Sequence, residues 1–423
     1  MNVQSSGSGS AKASRAGVVT GVRMTPIDGG VTAPAGFQAA GLACGIKASG
    51  KHDLALIAAT RPIAAAGIFT TNLAKAAPVV LSQQRLRETG GLAQAIVTNS
   101  GCANACTGPQ GMADAEEMAG LAATALGLES QQVLVASTGV IGVNLHMPSL
   151  RAGVPAAVAA LTSAGGAGAA RAIMTTDPFP KEAAVEVTTD VGSFRVGGMA
   201  KGSGMIEPRL ATMLGYLTTD AAADPTLLQR ALADACRYTF NAITVDGEPS
   251  TNDCVFAMAN GMSGVVIDEG LYPALVEGFR QVAHELALGI VRGGEGATKL
   301  VAVTVTGAET DADAWMAARA VANSPLVKTA VHGADPNWGR LVAASGRSGA
   351  AFVMDRARVR IGSLVLFENG RPFDERAAEA SDYLKGTTLD IEVNLGTGGT
   401  HSATVWTCDL TADYVKINAE YRT

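Results

Sequence analysis

The first half of the chain mixes the hydrophobic spacing of strands with that of helices. Short apolar runs and apolar–polar alternation predict strands at residues 54–59, 95–98, 133–136 and 184–188. Apolar positions three and four residues apart predict helices at residues 112–126 and 154–161. We interpret residues 30–41 as turns, and we expect the strand at 133–136 to stop at Ser137-Thr138-Gly139.

The second half repeats this mixture without a regular order. Amphipathic helices are predicted at residues 227–239, 271–288 and 312–323. Strands are predicted at residues 301–305, 351–365, where a hairpin is indicated, and 389–394. Because helices and strands alternate irregularly, the pattern favours a mixed α/β fold over a doubly wound sheet. No repeat and no linker interrupts the middle of the chain, so the two halves are expected to fold together.

Composition narrows the class of protein. The 423 residues are 48% hydrophobic but only 4% aromatic, so a substantial core must be built from Ala, Val, Leu and Ile. This length allows two to four domains or one large intertwined unit. The net charge of −6 comes without long runs of one sign, which argues against nucleic acid as a partner, because phosphate binding needs clustered Lys and Arg.

The cysteines and the N-terminus indicate a cytoplasmic protein. Of the six cysteines only Cys102 and Cys106 are close in sequence, and no ligand spacing follows them, so neither a zinc site nor a disulfide framework is expected. No apolar run reaches the ~18–20 residues of a membrane span, since Arg61 and Pro62 interrupt the longest candidate, residues 54–69. Residues 1–22 indicate a disordered tail without a secretory signal. No metal or cofactor motif is present.

The most specific chemical signal is the segment KGSGMIEPRLATMLGYLTTD at residues 201–220, which contains the Ala211–Thr212 bond. A threonine hydroxyl is a weak nucleophile, but its own α-amine activates it once the preceding peptide bond is cut. That amine has a pKa of roughly 7.7–8.0 and accepts a proton near neutral pH. The segment alone is also compatible with a buried strand or helix in which Thr212 is a small core residue.

Further blocks extend the signal along the chain. They are NSGCANACTG (99–108), STGVIG (137–142), IMTTDPFPK (173–181), TVDGEPSTND (244–253), GGEGATK (293–299), HGADPNWGR (332–340) and YVKINAEYRT at the C-terminus. Together with residues 201–220 they resemble the ornithine acetyltransferase family, the bifunctional glutamate N-acetyltransferases of arginine biosynthesis. The resemblance implies an αββα-like sandwich that cuts itself into an α chain, residues 23–211, and a β chain, residues 212–423. It also implies that the two chains stay associated as α2β2.

The same resemblance implies the roles of individual residues. Thr212 is the implied nucleophile and Ala211 precedes the cut. The oxyanion hole falls on the Gly139 N–H and the Thr138 hydroxyl or N–H. The implied substrate contacts, besides Thr212, are Thr175 (with Thr176 as a near-equal alternative), Lys201, Glu295, Asn418 and Thr423.

These side-chain types suit the substrates that the resemblance implies. Lys201 can meet an α-carboxylate and Glu295 an ammonium group. Asn418 and Thr423 can bond carboxylate or amide groups. The block residues Asp335, Asn337, Trp338, Arg340, Asn252 and Asp253 are interpreted as structural or as support around the site.

The implied reaction moves an acetyl group from N2-acetylornithine to glutamate, with acetyl-CoA as a possible second donor and no cofactor. Cys102 and Pro178 depart from the family pattern, in which Asn and Thr are common. These departures bear on the identity of the acyl substrate and not on the mechanism. A related acyltransferase or amidase with a different substrate remains an alternative, as does an unprocessed binding protein.

Overall fold

The structure, a computed structural model, describes residues 21–207 and 213–420. Its strands are β1 (Arg23–Ile27), β2 (Phe37–Leu42), β3 (Leu54–Phe69), β4 (Leu92–Cys102), β5 (Val133–Val140), β6 (Lys181–Thr189), β7 (Gly192–Lys201), β8 (Leu214–Thr219), β9 (Cys254–Ala259), β10 (Leu300–Ala308), β11 (Arg358–Ile361), β12 (Leu364–Glu368), β13 (Arg371–Pro372), β14 (Thr388–Asn394) and β15 (His401–Cys408). Its helices are α1 (Ala77–Glu88), α2 (Gly108–Leu126), α3 (Met147–Ala159), α4 (Gly166–Ala172), α5 (Pro225–Arg237), α6 (Tyr272–Arg292), α7 (Asp311–Ala322), α8 (Pro325–His332), α9 (Trp338–Gly346), α10 (Ala377–Leu384) and α11 (Ala412–Glu420).

Each helix predicted from spacing is present. The prediction of a hairpin within residues 351–365 is confirmed by β11 and β12, although the hairpin begins only at Arg358. The interpretation of residues 30–41 as turns holds for residues 30–36 but is wrong for residues 37–41, which belong to β2. Gly41 pairs with Ala55 in this strand, and only glycine fits there because a Cβ would lie 2.0 Å from the Gly168 carbonyl oxygen of α4. The strand expected to stop at Ser137 continues to Val140.

One bent strand shapes the main sheet. The nine strands follow the order β1-β6-β7-β8-β9-β3-β4-β5, with β2 also paired to β3. The first part of β3 pairs with β2 and β4, its second part pairs with β9, and its register against β4 shifts between Ala58 and Ile63. A shift of this kind bends a strand and increases its twist. Thus β3 belongs to two layers of the molecule.

The two halves of the sheet face one another across a buried interior. Ile57, Ile96 and Leu134 on one half share a hydrophobic cluster with Tyr216 and Phe256 on the other. The hydroxyls of Thr98 on β4 and Tyr216 on β8 join the halves through a buried 2.8 Å hydrogen bond. The two halves of the sheet therefore pack against each other through apolar side chains, and at least one polar contact also joins them.

Helices cover both outer faces. Residues of α2 and α3, with Leu81 of α1, pack on alternate positions of β3, β4 and β5, such as Leu56 and Val97. Helices α5 and α6 pack on the opposite outer face, against β6 to β9. The resulting order of helix, sheet, sheet and helix is an αββα sandwich, which confirms the predicted fold class.

A smaller sheet stands beside the sandwich. Its six strands follow the order β13-β12-β11-β14-β10-β15, and α7 to α10 contribute to the core on one face. The His284 ring of α6 meets Trp406 of β15 edge-on at 5.0 Å, and Ile243 forms a parallel bridge to Trp406. Leu300 and Cys408 extend the sandwich core into this unit. In the described ranges, no helix has the length and apolar character that a membrane crossing requires.

Tyr216→Phe is predicted to lower the free energy of unfolding by about 1–2 kcal/mol, because it removes the hydroxyl that satisfies buried Thr98. Urea unfolding measures the change. Tyr238→Phe is the control, since that ring is 44% exposed, and it should change stability by less than about 0.5 kcal/mol. Equal effects of the two variants would show that the hydrogen bond between the layers contributes nothing.

Candidate active site

A polar pocket lies where strand ends from both sheet layers meet. The last residue of β7, Lys201, lines it, as do the first residue of β8, Leu214, and Asp253 just before β9. The rest of the lining includes Ala103, Thr138, Gly139, Ile141, Thr175, Thr176, Gly204, Met205, Ile206, Met213, Asp246, Glu248, Ser250, Thr251, Asn252, Glu295, Tyr414 and Asn418. The pocket thus gathers residues from distant parts of the chain.

A contact between the two layers fixes one wall. The Lys201 Nζ donates to the Thr138 Oγ1 at 3.2 Å, and the two side chains are 8% and 9% exposed. Lys201 ends β7 in one layer, while Thr138 lies near the end of β5 in the other. A buried ammonium group therefore lies within one hydrogen bond of the strand end that carries Gly139.

Gly139 allows β4 and β5 to approach closely. Its φ of +130° is a backbone conformation that other residues rarely adopt. A Cβ at this position would lie 2.3 Å from the Gly101 carbonyl carbon and 2.6 Å from the Cys102 nitrogen. The backbone at 138–139 therefore reaches the pocket in a geometry that only glycine permits.

A buried carboxylate holds the Thr175–Thr176 turn beside Lys201. Asp177 accepts from the Lys181 Nζ at 2.6 Å, from the Gly202 N–H at 2.8 Å and from the Thr175 N–H at 3.0 Å. Burial alone would raise the pKa of Asp177, but the charges of Lys201 and Lys181 and these hydrogen bonds outweigh it and lower the pKa to about 2. The carboxylate is therefore ionised and neutralises part of the lysine charge.

Glu295, which follows α6, also lines the pocket. Its N–H donates to the Ser203 carbonyl at 2.9 Å, and its Oε2 accepts from the Asn418 Nδ2 at 2.8 Å. Gly204 allows this approach, because a Cβ there would lie 2.3 Å from the Glu295 Oε2. The pocket consequently has a carboxylate on one wall and an ammonium group on another.

Asn252, which lines the pocket, connects the segment before β9 to the second layer. Its Nδ2 donates to the Ala103 carbonyl at 2.5 Å and to the Ser137 carbonyl at 2.9 Å. Both acceptors lie at the ends of β4 and β5. This amide therefore holds the strand end carrying Thr138 against the segment that enters β9.

The residues implied by the sequence blocks lie together where the structure describes them. Thr138, Gly139, Thr175, Thr176, Lys201, Glu295 and Asn418 all line the pocket. Ala211, Thr212 and Thr423 lie outside the described residues. The roles of all these residues stay predictions, since proximity alone assigns no chemistry.

Other sequence positions lie elsewhere. Neither Cys102 nor Pro178, the two departures from the family pattern, is among the pocket-lining residues. The Cys102 thiol is directed to the Val143 carbonyl at 3.1 Å, and Pro178 is exposed. Trp338 stacks on Phe367 at 4.8 Å in the core of the smaller sheet, and Asn337 caps the start of α9.

Sequence reasoning missed several polar residues of the site. Asp246 accepts from the N–H groups of Met205 and Ile206 at 2.6 and 2.8 Å, and from the Tyr414 hydroxyl at 3.3 Å. Asp246 and Asp177 both stand within the sequence blocks that carry the family resemblance. Those blocks were the signal from which the two residues could have been found. Tyr414, 168 residues away from Asp246, could not be paired with it from the sequence.

These features define a mixed α/β sandwich protein whose pocket lies at strand ends of both sheet layers and is lined by groups of opposite charge. Sequence comparison identifies the particular family. The ArgJ family model matches residues 38–423, so the chain belongs to the ArgJ family. The predicted family is thereby confirmed.

Two named relatives support the same membership. The chain is 54% identical over 402 residues to the arginine biosynthesis bifunctional protein ArgJ of Symbiobacterium thermophilum, covering 93% of this chain and 99% of that protein. It is 49% identical to the protein of the same name from a Synechococcus species, covering 94% and 98%. A solved structure of the ornithine acetyltransferase of Mycobacterium tuberculosis, in complex with ornithine, is 48% identical to this chain. The match covers 45% of this chain and 100% of the solved chain, with a TM-score of 0.41.

Gly139→Ala is predicted to lower the free energy of unfolding by about 2–3 kcal/mol, because about 1–2 kcal/mol of backbone strain adds to overpacking against Gly101. Chemical denaturation measures the loss. Gly142→Ala is the matched control: its φ is +79° but a Cβ there meets nothing within 4 Å, so only the strain of about 1 kcal/mol is expected. A loss no larger than that of the control would contradict the close approach of β4 and β5.

Asp177 is predicted to make stability depend on acid. Its pKa is depressed in the folded protein, so its contribution is complete above the unfolded value of 3.8 and is lost as the pH falls towards 2. The stability gap between wild type and Asp177→Asn should therefore narrow by about 2 kcal/mol between pH 5 and pH 2. Denaturation series at both pH values measure the gap. Asp374→Asn, at an exposed position, should show no such narrowing.

Proposed function

We propose that this chain is a self-processing glutamate N-acetyltransferase of arginine biosynthesis, which transfers an acetyl group from N2-acetyl-L-ornithine to L-glutamate. One observation carries the proposal. In a member of the ArgJ family, a single pocket joins Lys201, before the Ala211–Thr212 bond, to Met213 and Glu295, after it. Cutting this bond would create a new N-terminus next to residues that line the pocket.

The proposed nucleophile is Thr212 after cleavage. Its hydroxyl attacks the acetyl carbon of the donor while its free α-amine takes the hydroxyl proton. Thr212 lies outside the described residues, but Met213, its covalent neighbour, lines the pocket. No cofactor is needed, because the amine supplied by the cut acts as the base.

Acyl transfer then proceeds in two halves. In the first, the acetyl carbon forms a bond to the threonine oxygen, its bond to the ornithine nitrogen breaks, and the α-ammonium returns its proton to the departing amine. In the second, the glutamate amine attacks the acetyl ester and regenerates the hydroxyl. Both tetrahedral intermediates carry an oxyanion, for which we propose the Gly139 N–H together with Thr138. A preorganised donor of this kind typically supplies ~3 kcal/mol.

The charges of the pocket suit these substrates. Lys201 is assigned to an α-carboxylate and Glu295 to the ornithine ammonium group, with Asn418 holding Glu295 in place through their 2.8 Å hydrogen bond. Thr175, or equally Thr176, is assigned a substrate contact on the turn that Asp177 fixes. Thr423 keeps the same proposed role.

The names of relatives extend the proposal. The Symbiobacterium thermophilum and Synechococcus proteins are called bifunctional, and the Mycobacterium tuberculosis enzyme was solved with ornithine. We therefore propose ornithine as the leaving product here, and acetyl-CoA as a second donor. An α2β2 assembly of residues 23–211 and 212–423, in the cytoplasm, completes the proposal.

Cleavage provides the direct test. Purified wild type should give two bands on a denaturing gel, each near half of 42.8 kDa, and mass spectrometry should find Thr212 as the new N-terminus. The cut enzyme should transfer acetyl from acetylornithine to glutamate with ping-pong kinetics. Thr212→Ala should stay intact and inactive, because it lacks the hydroxyl that both steps require.

Thr218→Ala is the control for loss of a threonine, since that buried hydroxyl bonds the Val31 and Gly197 carbonyls and lies outside the pocket. It should be cut and active. An active wild type with a continuous backbone, or full turnover by Thr212→Ala, would refute the proposal. Rapid hydrolysis of acetylornithine without transfer to glutamate would refute the acetyltransferase assignment.

A further inference from the structure

The proposed cleavage leaves one chemical requirement unmet. After the cut, the α-amine of Thr212 is the base, but before the cut that nitrogen belongs to a peptide bond and has no free electron pair to offer as a base. The departing nitrogen must also gain a proton as its bond to carbon breaks. The uncut chain therefore needs another acid–base group at the same place.

Asp253 stands beside the strand that follows the cut. It directly precedes β9, which runs parallel to β8 with Leu214 opposite Cys254. The Cys254 N–H donates to the Met213 carbonyl at 3.0 Å, so the pairing extends to the residue covalently joined to Thr212. Asp253 and Met213 both line the pocket.

The Asp253 carboxyl is buried but incompletely bonded. The residue is 3% exposed, and its Oδ2 has no hydrogen-bond partner in the part of the chain that the structure describes. Leaving a buried carboxyl oxygen unpaired costs about 1–3 kcal/mol, more if it is charged. Asp220, which is 4% exposed, shows the usual alternative, because both of its oxygens accept backbone N–H groups, from Ala35 and Arg195.

We propose that Asp253 is the proton donor of the self-cleavage step, acting on the nitrogen of the Ala211–Thr212 bond. This inference rests on the proposed function. As the Thr212 oxygen bonds to the Ala211 carbonyl carbon, the carbon–nitrogen bond breaks and Asp253 gives its proton to the nitrogen. The carboxylate takes up the hydroxyl proton of Thr212, so Asp253 ends neutral. Water then hydrolyses the ester between the two chains.

The surroundings favour the protonated form of this carboxyl. Burial raises the pKa of Asp253 well above its ordinary value, and the hydrogen bonds from Ser250 and the charge of Lys201 only partly oppose that rise. A protonated carboxylic acid can donate a proton, which a carboxylate cannot do. Asp253 thus shares the pocket with the residue that follows the cut, has an unpaired oxygen, and lies in surroundings that favour the protonated form the step requires.

The test follows cleavage of the full-length chain. Asp253→Asn keeps the size of the side chain but holds no acidic proton, and Asp253→Ala removes the carboxyl. Both should fold, by circular dichroism and thermal unfolding, and should cut at least about a hundredfold more slowly than wild type. Adding formate to purified, intact Asp253→Ala should restore cleavage, because formic acid fits the space that the side chain leaves.

Two further variants separate the possible failures. Asp220 is an equally buried acid outside the pocket, so Asp220→Asn should be cut at the wild-type rate in its folded fraction. Formate should not restore cleavage of Thr212→Ala, because that variant lacks the nucleophile. If wild type is not cut at 211–212, the proposed function itself fails. If wild type is cut and either Asp253 variant cuts equally fast, or formate leaves Asp253→Ala unchanged, only the role of Asp253 is overturned.

Discussion

The stacking of two halves of one sheet is the constraint on which the rest of the structure depends. Because β3 belongs to both layers, its bend between Ala58 and Ile63 sets how β5 lies over β7. The hydrogen bond from Lys201 to Thr138 closes the gap between the layers at the pocket. A change in this stacking would separate the ammonium group from the strand end without altering either strand.

The stacking also buries charge, which the site must neutralise. Lys181 and Lys201 are 4% and 8% exposed, and an isolated buried ammonium group is strongly unfavourable. Asp177 offsets this cost through its 2.6 Å ion pair with Lys181 and its charge interaction with Lys201. Removing one member of such a group costs more than the group contributes, because the remaining charge is left uncompensated. The cluster therefore holds the Thr175 turn in place on the pocket wall.

The sequence predicted most elements whose apolar spacing is long and regular, and the family blocks contained several of the residues that line the pocket. It ended the third strand near residue 59 because Arg61 and Pro62 interrupt the apolar run. The structure instead turns these two residues outward at the bend, where they are exposed, and the strand continues to Phe69. Contacts between distant residues, such as Tyr414 with Asp246, depend on the stacked layers, and no local pattern encodes them.

The same architecture explains how a cut chain could remain one folded unit. Strands β7 and β8, which precede and follow the Ala211–Thr212 bond, are hydrogen-bonded neighbours over six residue pairs, from Val196–Thr219 to Lys201–Leu214. The interior cluster contains Ile57 and Met199 from one side of the bond and Tyr216 and Phe256 from the other. Since one core holds residues from both chains, separating them would expose apolar surface worth about 25 cal/mol per Å². Cleavage would therefore change the chemistry of one residue while the packing that positions it persists.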